Sequence, residues 1–262
     1  MIRILHLSDL HFGRDRPELE TPLVETVNGL APDLVAISGD FTQRARVAQF
    51  ARARAFLDRL APPTLSVPGN HDTPLDNLLL RFVVPFRRYR RAIDPVLEPE
   101  LETPDMHVVG VNTVNRFSWQ RGRMSPRTIR RLSAAFARGD ARLRIAVLHH
   151  PLEHGPEVEK RLMRGARHAL AALRGAGADV VLSGHLHNTV TRPFAISPGC
   201  LFVQAGTGLS TRLRGEDNTF NLLSCTPGRI EVETFSAGTD ATFQRDRALS
   251  FSRSAVSGWT AD

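Results

Sequence analysis

The sequence predicts an α/β protein built as a layered sandwich, with sheets covered by helices. Short apolar, β-rich segments alternate with helical patterns through most of the chain, and strands without intervening helices follow. With 262 residues, 42% of them apolar, the chain can bury a substantial core. We predict a single domain over residues 1–236, with a candidate cap or lid at 73–105.

The first group of predicted strands consists of apolar runs typical of strands that are buried on both faces. These runs are Ile2–Leu7, Leu34–Ser38, Thr64–Val67, His107–Val111, Leu143–Leu148 and Asp179–Leu182. After Thr189 the pattern changes to strands alone, which we expect to complete a second sheet. They are Cys200–Gln204, Phe220–Ser224 and Ile230–Phe235. Residues 237–262 are polar and poorly patterned, so this tail has no predicted structure.

Helical signals fall between the first strands. Thr21-Pro22 supplies a cap and a first-turn proline for a helix that ends at Leu30, and Gly175 with Gly177 ends the last helix. The remaining helices are predicted from apolar spacing over Val47–Leu60, Asn77–Ile93, Pro126–Ala137 and Glu157–Arg174.

Five short polar signatures each come directly after a predicted strand. They are Asp9-Leu10-His11, Gly39-Asp40, Gly69-Asn70-His71-Asp72, His149 within His149-His150-Pro151, and Gly184-His185-Leu186-His187. Ligands of layered α/β folds collect at the carboxyl ends of strands, so these side chains should converge. Because they span Asp9 to His187, no domain boundary can fall between them.

The residue types in these signatures suit metal ions. Asp9 and His11 are one residue apart, so in an extended segment both side chains leave the same side, and His185 with His187 repeats that spacing. An isolated Asp-x-His or Gly-Asp is also common in structural turns. Carboxylates and imidazoles together bind ions such as Mn²⁺, Fe or Zn²⁺, and the complete ordered set points to two ions.

Composition adds expectations of its own. The net charge is +7 with a single lysine, and this arginine excess is either an anion-binding surface or a compositional bias. A nucleic-acid-binding module is one alternative it raises, although we expect no stable nucleic-acid partner. Cys200 and Cys225 lie outside every motif and are expected to be buried thiols. Without a transmembrane run or a signal-peptide core, a cytoplasmic protein is expected.

Taken in order, the signatures resemble the pattern of the calcineurin-like metallophosphoesterase superfamily from Met1 to about Thr191. They are most similar to its small bacterial members, the class III cyclic-nucleotide phosphodiesterase-like proteins. The resemblance implies the metallophosphoesterase fold, an α/β/β/α sandwich of two mixed sheets flanked by helices. It also implies two metal ions, of Mn, Fe or Zn type, and a water that they activate to attack phosphorus.

The same resemblance assigns roles to individual residues. It implies that Asp9, His11 and His187 hold one metal, that Asn70, His149 and His185 hold the other, and that Asp40 bridges both. His71 corresponds to the catalytic histidine beside the leaving group, and the adjacent Asp72 is a candidate to orient its ring.

One departure from the superfamily narrows the substrate. In its protein Ser/Thr phosphatases the Gly-Asp motif continues with another Asp and an Arg, whereas here Gln43 and Arg44 follow. Gln43 cannot supply the second carboxylate, which counts against that branch. Arg44 and Arg212 are candidate substrate-binding residues. A solvent-exposed arginine near a helix start is the alternative for Arg44, and a plain turn is the alternative for the loop that carries Arg212.

The predicted function is hydrolysis of a small phosphoester, with a cyclic nucleotide such as cyclic AMP or another small phosphodiester as substrate. An alternative is pyrophosphate hydrolysis on a nucleotide-linked lipid of the UDP-diacylglucosamine type. It is suggested by the apolar run Leu78–Phe86 beside the basic run Arg87–Arg91. That stretch either caps the site, contacts a membrane peripherally, or packs on the sheet with its arginines in water. A homo-oligomer is left open.

Overall fold

The computed structural model describes residues 1–137, 141–155, 158–254 and 256–262. Two mixed sheets pack face to face, and helices cover their outer faces. The predicted α/β/β/α sandwich is therefore confirmed. Among the described residues, no helix combines the length and apolar character that crossing a bilayer requires.

The elements follow the order that the sequence predicts, with several additions. The strands are β1 (Ile2–Leu7), β2 (Leu34–Ile37), β3 (Thr64–Ser66), β4 (Glu100–Glu102), β5 (Met106–Val111), β6 (Leu143–Leu148), β7 (Val180–Ser183), β8 (Val190–Phe194), β9 (Ser197–Gln204), β10 (Thr219–Thr226), β11 (Arg229–Ala237), β12 (Phe243–Ser254) and β13 (Gly258–Ala261). The helices are α1 (Glu20–Leu30), α2 (Val47–Leu57), α3 (Leu78–Val83), α4 (Arg87–Ala92), α5 (Pro126–Phe136) and α6 (Ala166–Gly175).

Each sheet has a parallel part and an antiparallel part. The first sheet runs β13-β12-β11-β10-β1-β2-β3, with β1, β2 and β3 parallel and β10 antiparallel to β1. The second runs β4-β5-β6-β7-β9-β8, with a parallel centre from β5 to β9. We expected the final strands to complete one second sheet, but they are divided between the two sheets. Strand β9 joins the second sheet, whereas β10 and β11 extend the first.

Alternating side chains of the strands build three apolar layers. In β2, Leu34 and Ala36 face the other sheet, while Val35 and Ile37 face α1 and α2. On the far side, Val109 and Val111 of β5 pack with α5 and α6. Because both faces are covered, the central strands read as continuous apolar runs, which is why the sequence reveals them.

The prediction of one continuous helix over Asn77–Ile93 is wrong. The structure has two short helices, α3 and α4, separated at Val84 to Phe86. Pro85 lacks an amide proton and disfavours helical geometry at the residue before it, and Val84 has left the helical region with φ −135° and ψ 60°.

The last predicted helix begins later than the sequence suggests. Residue 157, where the prediction starts, lies outside the described residues, and residues 158–165 form no helix. Gly165, with φ +86°, precedes the start of α6 at Ala166. By contrast, α5 begins where predicted, because Ser125 accepts a hydrogen bond from the amide of Thr128 and Pro126 occupies the first turn.

The tail after residue 236 forms β-structure over most of the residues that the structure describes there, although its sequence predicted none. Strands β12 and β13 extend the first sheet, and Phe251 and Trp259 pack into the layer between the sheets. Most of β12 is exposed, so its sequence carries little apolar alternation. Cys200 and Cys225 are buried free thiols, as expected.

Candidate metal centre

The predicted ligands converge at the carboxyl ends of the parallel strands of both sheets. The first sheet contributes Asp9 and His11 after β1, Asp40 after β2 and Asn70 after β3; the second contributes His149 after β6, then His185 and His187 after β7. All except the half-buried His185 are buried. Residues far apart in sequence therefore share one water-poor space.

The ligand loops use an unusual backbone geometry. Five of the eight non-glycine residues with positive φ in the described part of the chain are predicted ligands: Asp9 at 53°, His11 at 49°, Asp40 at 54°, His185 at 75° and His187 at 62°. The premise that these segments are extended is therefore wrong. Each left-handed residue costs about 1–2 kcal/mol, and such strain concentrates at functional sites. Tight left-handed turns, rather than a strand, direct these side chains inwards.

Two glycines allow the ligand loops to approach one another. A Cβ on Gly69 would collide with the backbone and side chain of Asp40, and a Cβ on Gly184 would collide with Ser8 and Asp9. The collision at Gly69 involves the backbone amide of Asp40, so a side-chain rotation alone cannot relieve it, whereas the collision at Gly184 would displace the buried side chains of Ser8 and Asp9. These glycines therefore set the close packing of the site.

The first donor group consists of Asp9, His11 and His187. The Nε2 atoms of His11 and His187 are 3.0 Å apart, and Oδ1 of Asp9 lies 3.5 Å from the first and 3.2 Å from the second. Oδ2 of Asp9 accepts hydrogen bonds from Ser8 Oγ and the amide of His185. Oδ1 is buried without a hydrogen-bond donor among the described residues, which is the arrangement a cation would complete.

The second donor group consists of Asn70, His149 and His185. Nε2 of His149 lies 3.1 Å from Oδ1 of Asn70 and 3.3 Å from Nδ1 of His185. Oδ2 of Asp40 lies between the two groups, 3.4 Å from Nε2 of His149 and 3.7 Å from Nε2 of His11. Asp40 is thus the carboxylate placed to serve both.

Backbone carbonyls orient the imidazoles. Nδ1 of His149 donates to the carbonyl of Ser38 at 2.7 Å, and Nδ1 of His187 donates to the carbonyl of Arg212 at 2.7 Å. A carbonyl only accepts, so Nδ1 carries a proton in both rings and Nε2 is the nitrogen that faces the centre, where its deprotonation leaves a lone pair for a metal ion. This is how metal-binding histidines are usually held, and the donor set fits a metal ion.

The electrostatics also favour cations. Burial alone would raise the pKa of each carboxyl, but the facing imidazoles outweigh it and hold the pKa values of Asp9 and Asp40 well below their usual range. Burial lowers the pKa of His11 to about 4. Burial would also lower the pKa of His149, but Asp40 raises it to about 9. Two charged carboxylates and at least one neutral imidazole therefore face the centre.

His71 lies at the opening of the site. Its Nδ1 donates to the carbonyl of Gln43 at 2.8 Å, and its Nε2 lies 3.1 Å from Nη1 of Arg212. Its ring packs edge-on against the His11 ring, with 4.9 Å between the ring centroids. The contact with Arg212 joins two residues that the sequence predicted separately, as catalytic and substrate-binding.

The structure does not place Asp72 against the His71 ring. Its carboxylate instead accepts from the amides of Phe41, Thr42 and Gly69 and from the Thr42 hydroxyl, at 2.9–3.2 Å. The predicted orienting contact is therefore wrong, and the Gln43 carbonyl occupies that position. Asp72 instead ties together the loops that follow β2 and β3.

A cavity of about 360 Å³ opens in front of these groups. Its lining includes the predicted residues Asn70, His71, Arg44 and Arg212, together with Arg14, Gln43, Leu75, Trp119 and Gln120. The last five were not predicted, because none belongs to a motif and the cavity is assembled from separate loops. Arg44 is exposed, as the alternative of a solvent-exposed arginine expects, and it also lines this cavity.

His150 is a second histidine that the sequence did not assign. Its Nδ1 bonds to the hydroxyl of Thr113 at 2.8 Å, and its ring lies 4.6 Å from that of His185. His149, not His150, is the one that faces Asp40 and Asn70. The geometry therefore supports His149 as the ligand.

Comparison with known proteins identifies the family. Residues 2–189 match the family model described as calcineurin-like phosphoesterase. The chain belongs to this family. Its members depend on a dinuclear metal centre, and the adjoining donor groups of this chain supply candidate ligands for one. The chain is therefore a phosphoester hydrolase of the calcineurin-like type.

Three curated relatives carry names of phosphoester hydrolases. The chain is 27% identical over 209 residues to glycerophosphodiester phosphodiesterase GpdQ of Enterobacter lignolyticus, covering 71% of this chain and 70% of that one. It is 32% identical over 82 residues to a probable cyclic nucleotide phosphodiesterase of Synechococcus, covering 28% and 32%. It is 35% identical over 74 residues to UDP-2,3-diacylglucosamine pyrophosphatase LpxG of Chlamydia trachomatis, covering 27% and 22%.

The fold is also that of a solved metallophosphoesterase. Purple acid phosphatase PPD1 from yellow lupin superposes with a TM-score of 0.70 at 14% identity. The match covers 97% of this chain but 54% of the lupin protein, so this chain spans about half of that relative. At this identity the likeness shows the fold alone.

Proposed function

We propose that this calcineurin-like phosphoesterase hydrolyses small phosphodiesters, including 3′,5′-cyclic nucleotides, with two metal ions. The observation that carries the proposal is the position of Asp40, whose Oδ2 faces both donor groups beside the cavity that His71 and Arg212 line. Two bound cations would lower the pKa of a water molecule and neutralise charge on the phosphoryl group.

We assign the ligands as the geometry groups them. Asp9, His11 and His187 would hold one ion, Asn70, His149 and His185 the other, and Asp40 both. The buried Oδ1 of Asp9 and the imidazole lone pairs held inwards by the carbonyls of Ser38 and Arg212 support this assignment.

The remaining residues handle the substrate. In the structure Nη1 of Arg212 donates to Nε2 of His71, while Nδ1 of His71 donates to the carbonyl of Gln43. Once Arg212 turns to the phosphate, Nε2 would be free to carry a proton and donate it to the departing alkoxide. The Arg212 guanidinium, 3.1 Å from Nε2, pairs with the nonbridging phosphate oxygens and keeps the leaving oxygen near His71. Arg14 and Arg44 add positive charge to the same cavity.

The choice of small diesters rests on the cavity and on the relatives. A volume of about 360 Å³ suits a compact substrate, and Gln43 replaces the carboxylate expected of the protein phosphatase branch. Two relatives are named as phosphodiesterases, one for glycerophosphodiesters and one, as probable, for cyclic nucleotides.

The test begins with activity on bis(p-nitrophenyl) phosphate after loading with Mn²⁺. We expect about two ions per chain by elemental analysis, and near-complete loss of activity and of metal in Asp40→Ala. His71→Ala should keep its metal and lose about 10²–10⁴ in kcat. His168→Ala, an exposed histidine of α6, is the matched control and should behave as wild type. Full activity in Asp40→Ala or Asn70→Ala would overturn the mechanism.

A second candidate is pyrophosphate hydrolysis on a nucleotide-linked lipid. It is favoured by exposed apolar side chains of α3 near the cavity and by the local match to a protein named UDP-2,3-diacylglucosamine pyrophosphatase. A panel of cyclic AMP, glycerophosphodiesters, p-nitrophenyl phosphate and UDP-diacylglucosamine separates the candidates. We expect the highest kcat/KM on a small diester, and preference for the lipid would favour the second candidate.

A further inference from the structure

An apolar ridge stands beside the cavity mouth. It consists of Leu78, Leu79, Phe82 and Val83 of α3 with Phe117 and Trp119 of the loop between β5 and α5, each between 43% and 72% exposed. These are six of the thirteen large apolar side chains that the described part of the chain exposes. Contiguous exposed apolar side chains rimmed by polar residues mark an interaction site.

The ridge is held as one ordered surface. Leu78 and Phe82 are one turn apart on α3, as are Leu79 and Val83, so the four side chains share one side of the helix. The rings of Phe82 and Phe117 stack with 5.9 Å between their centroids. On the opposite face, the buried Arg81 donates to the carbonyls of Arg116 and Ser118 and to the Thr73 hydroxyl. Its guanidinium also lies 5.3 Å from the Trp119 ring.

Positive charge flanks the ridge. Arg87, Arg90 and Arg91 of α4 are exposed on one side, and Arg116 is exposed within the loop. Between residues 76 and 91 the sole acidic residue is Asp76, which is already paired with Arg88 at 3.0 Å. Within the described part of the chain these exposed arginines form no ion pair, and exposed apolar side chains beside such arginines match the interface of an anionic lipid bilayer.

The ridge and the catalytic cavity share a residue. Trp119 belongs to the ridge and lines the cavity together with His71 and Arg212. A flat partner resting on the ridge would therefore lie next to the cavity mouth.

We propose that the apolar ridge and the α4 arginines dock this protein on an anionic phospholipid surface. The side chains of α3, Phe117 and Trp119 enter the headgroup region, and the guanidinium groups pair with lipid phosphates. The inference does not rest on the proposed function, because docking requires no turnover. It adds a location to the site: substrates are met at a membrane surface.

A second copy of the chain is a poorer occupant. A two-fold contact through this ridge would bring the arginines of both copies together, without acidic residues in either α4 to offset them. Like charges held close in a desolvated interface oppose association.

The test is cosedimentation of the full chain with vesicles of phosphatidylglycerol and phosphatidylcholine, against phosphatidylcholine alone. We expect binding to the anionic vesicles, weakened by salt, with a blue shift of tryptophan emission. Trp119 is exposed and Trp259 is buried, so Trp119→Phe should abolish the shift.

Paired variants separate the two contributions. Leu79→Ser with Phe117→Ser, and Arg90→Gln with Arg91→Gln, should each weaken partition at least about tenfold. Ile196→Ser with Val256→Ser removes exposed apolar residues outside the ridge and should leave partition unchanged. Hydrolysis of bis(p-nitrophenyl) phosphate in solution should be equal in these three paired variants, which lie outside the cavity lining, and this shows that each is folded.

Absence of vesicle binding, or equal binding by the Leu79 and Phe117 variant, overturns the proposal. A wild-type dimer that this variant converts to a monomer also overturns it, because a second copy then covers the ridge. Vesicle binding without any phosphodiesterase activity would instead overturn the proposed function and leave the docking surface standing.

Discussion

Gly69 lies so close to Asp40 in the candidate metal centre that there is no room for a side chain. We predict that Gly69→Ala lowers the free energy of unfolding by at least about 2 kcal/mol, because its Cβ would overlap the backbone of Asp40. It should also lower the number of bound Mn²⁺ ions, since Asp40 must move to relieve the overlap. Urea denaturation and elemental analysis measure the two effects.

Gly29 supplies the matched control. It lies in α1 and has open space where a Cβ would be added. Gly29→Ala should therefore raise the free energy of unfolding by about 0.5–1 kcal/mol through helix propensity and lost freedom of the unfolded chain. A destabilisation of Gly69→Ala no larger than that of a surface substitution would contradict the packing argument.

The candidate ligands could be predicted from their side chains, whereas the contacts made by backbone groups could not. Asp9, Asp40 and the histidines can be recognised in the sequence because only a few residue types bind metal ions. The carbonyl of Gln43, which holds the His71 ring, belongs to a group that every residue carries. Its position depends on the turn after β2, so Asp72 was the more visible but wrong candidate.

Arg81 links the candidate site to α3 at the scale of elements. It is buried and donates three hydrogen bonds to the loop at 116–118 and to Thr73. We predict that Arg81→Met lowers the free energy of unfolding by about 2–3 kcal/mol, because the three acceptors lose a charged donor. Trypsin should then cleave after Arg116 faster than in wild type.

Arg90 is the matched control for that experiment. It is exposed on α4, and Arg90→Met should change the free energy of unfolding by less than about 0.5 kcal/mol. Equal stability of the two variants, or unchanged cleavage after Arg116, would show that Arg81 does not hold this loop.

Elements buried on both faces were predictable from the sequence, and edge elements were not. Strands β1, β2, β6 and β7 match their predicted bounds within a residue or two because each is an apolar run. Strand β12 is exposed over most of its length and pairs through its backbone, so it lacks an apolar signal. Whether residues 73–105 act as a cap stays a prediction.

Across the whole chain, the sequence does not indicate which of the two sheets each strand joins. Strand β10 pairs with β1, more than two hundred residues earlier, and so places the last four strands in the first sheet. Backbone pairing of this kind is decided by packing across both sheets rather than by local pattern. The predicted layers are nevertheless correct, because continuous apolar runs indicate strands covered on both faces but do not indicate which strands pair.

The buried core should give the molecule a marked loss of stability at alkaline pH. Burial raises the pKa of Cys225 to about 12 and raises those of Cys200 and Tyr89 well above their ordinary values. Unfolded, these groups lose their protons near their reference pKa values of about 8.5 for Cys and 10 for Tyr. Above about pH 9 the folded state therefore binds more protons than the unfolded state.

The free energy of unfolding should accordingly fall as pH rises, by up to about 1.4 kcal/mol per pH unit for each such group. Urea denaturation between pH 8 and 11 measures the slope. In Cys200→Ala with Cys225→Ala the slope should flatten by about 2–3 kcal/mol per pH unit, whatever the cavities do to the absolute value. Tyr89→Phe should flatten it mainly above about pH 10. An identical slope in the double cysteine variant would mean that water reaches both thiols in the native state.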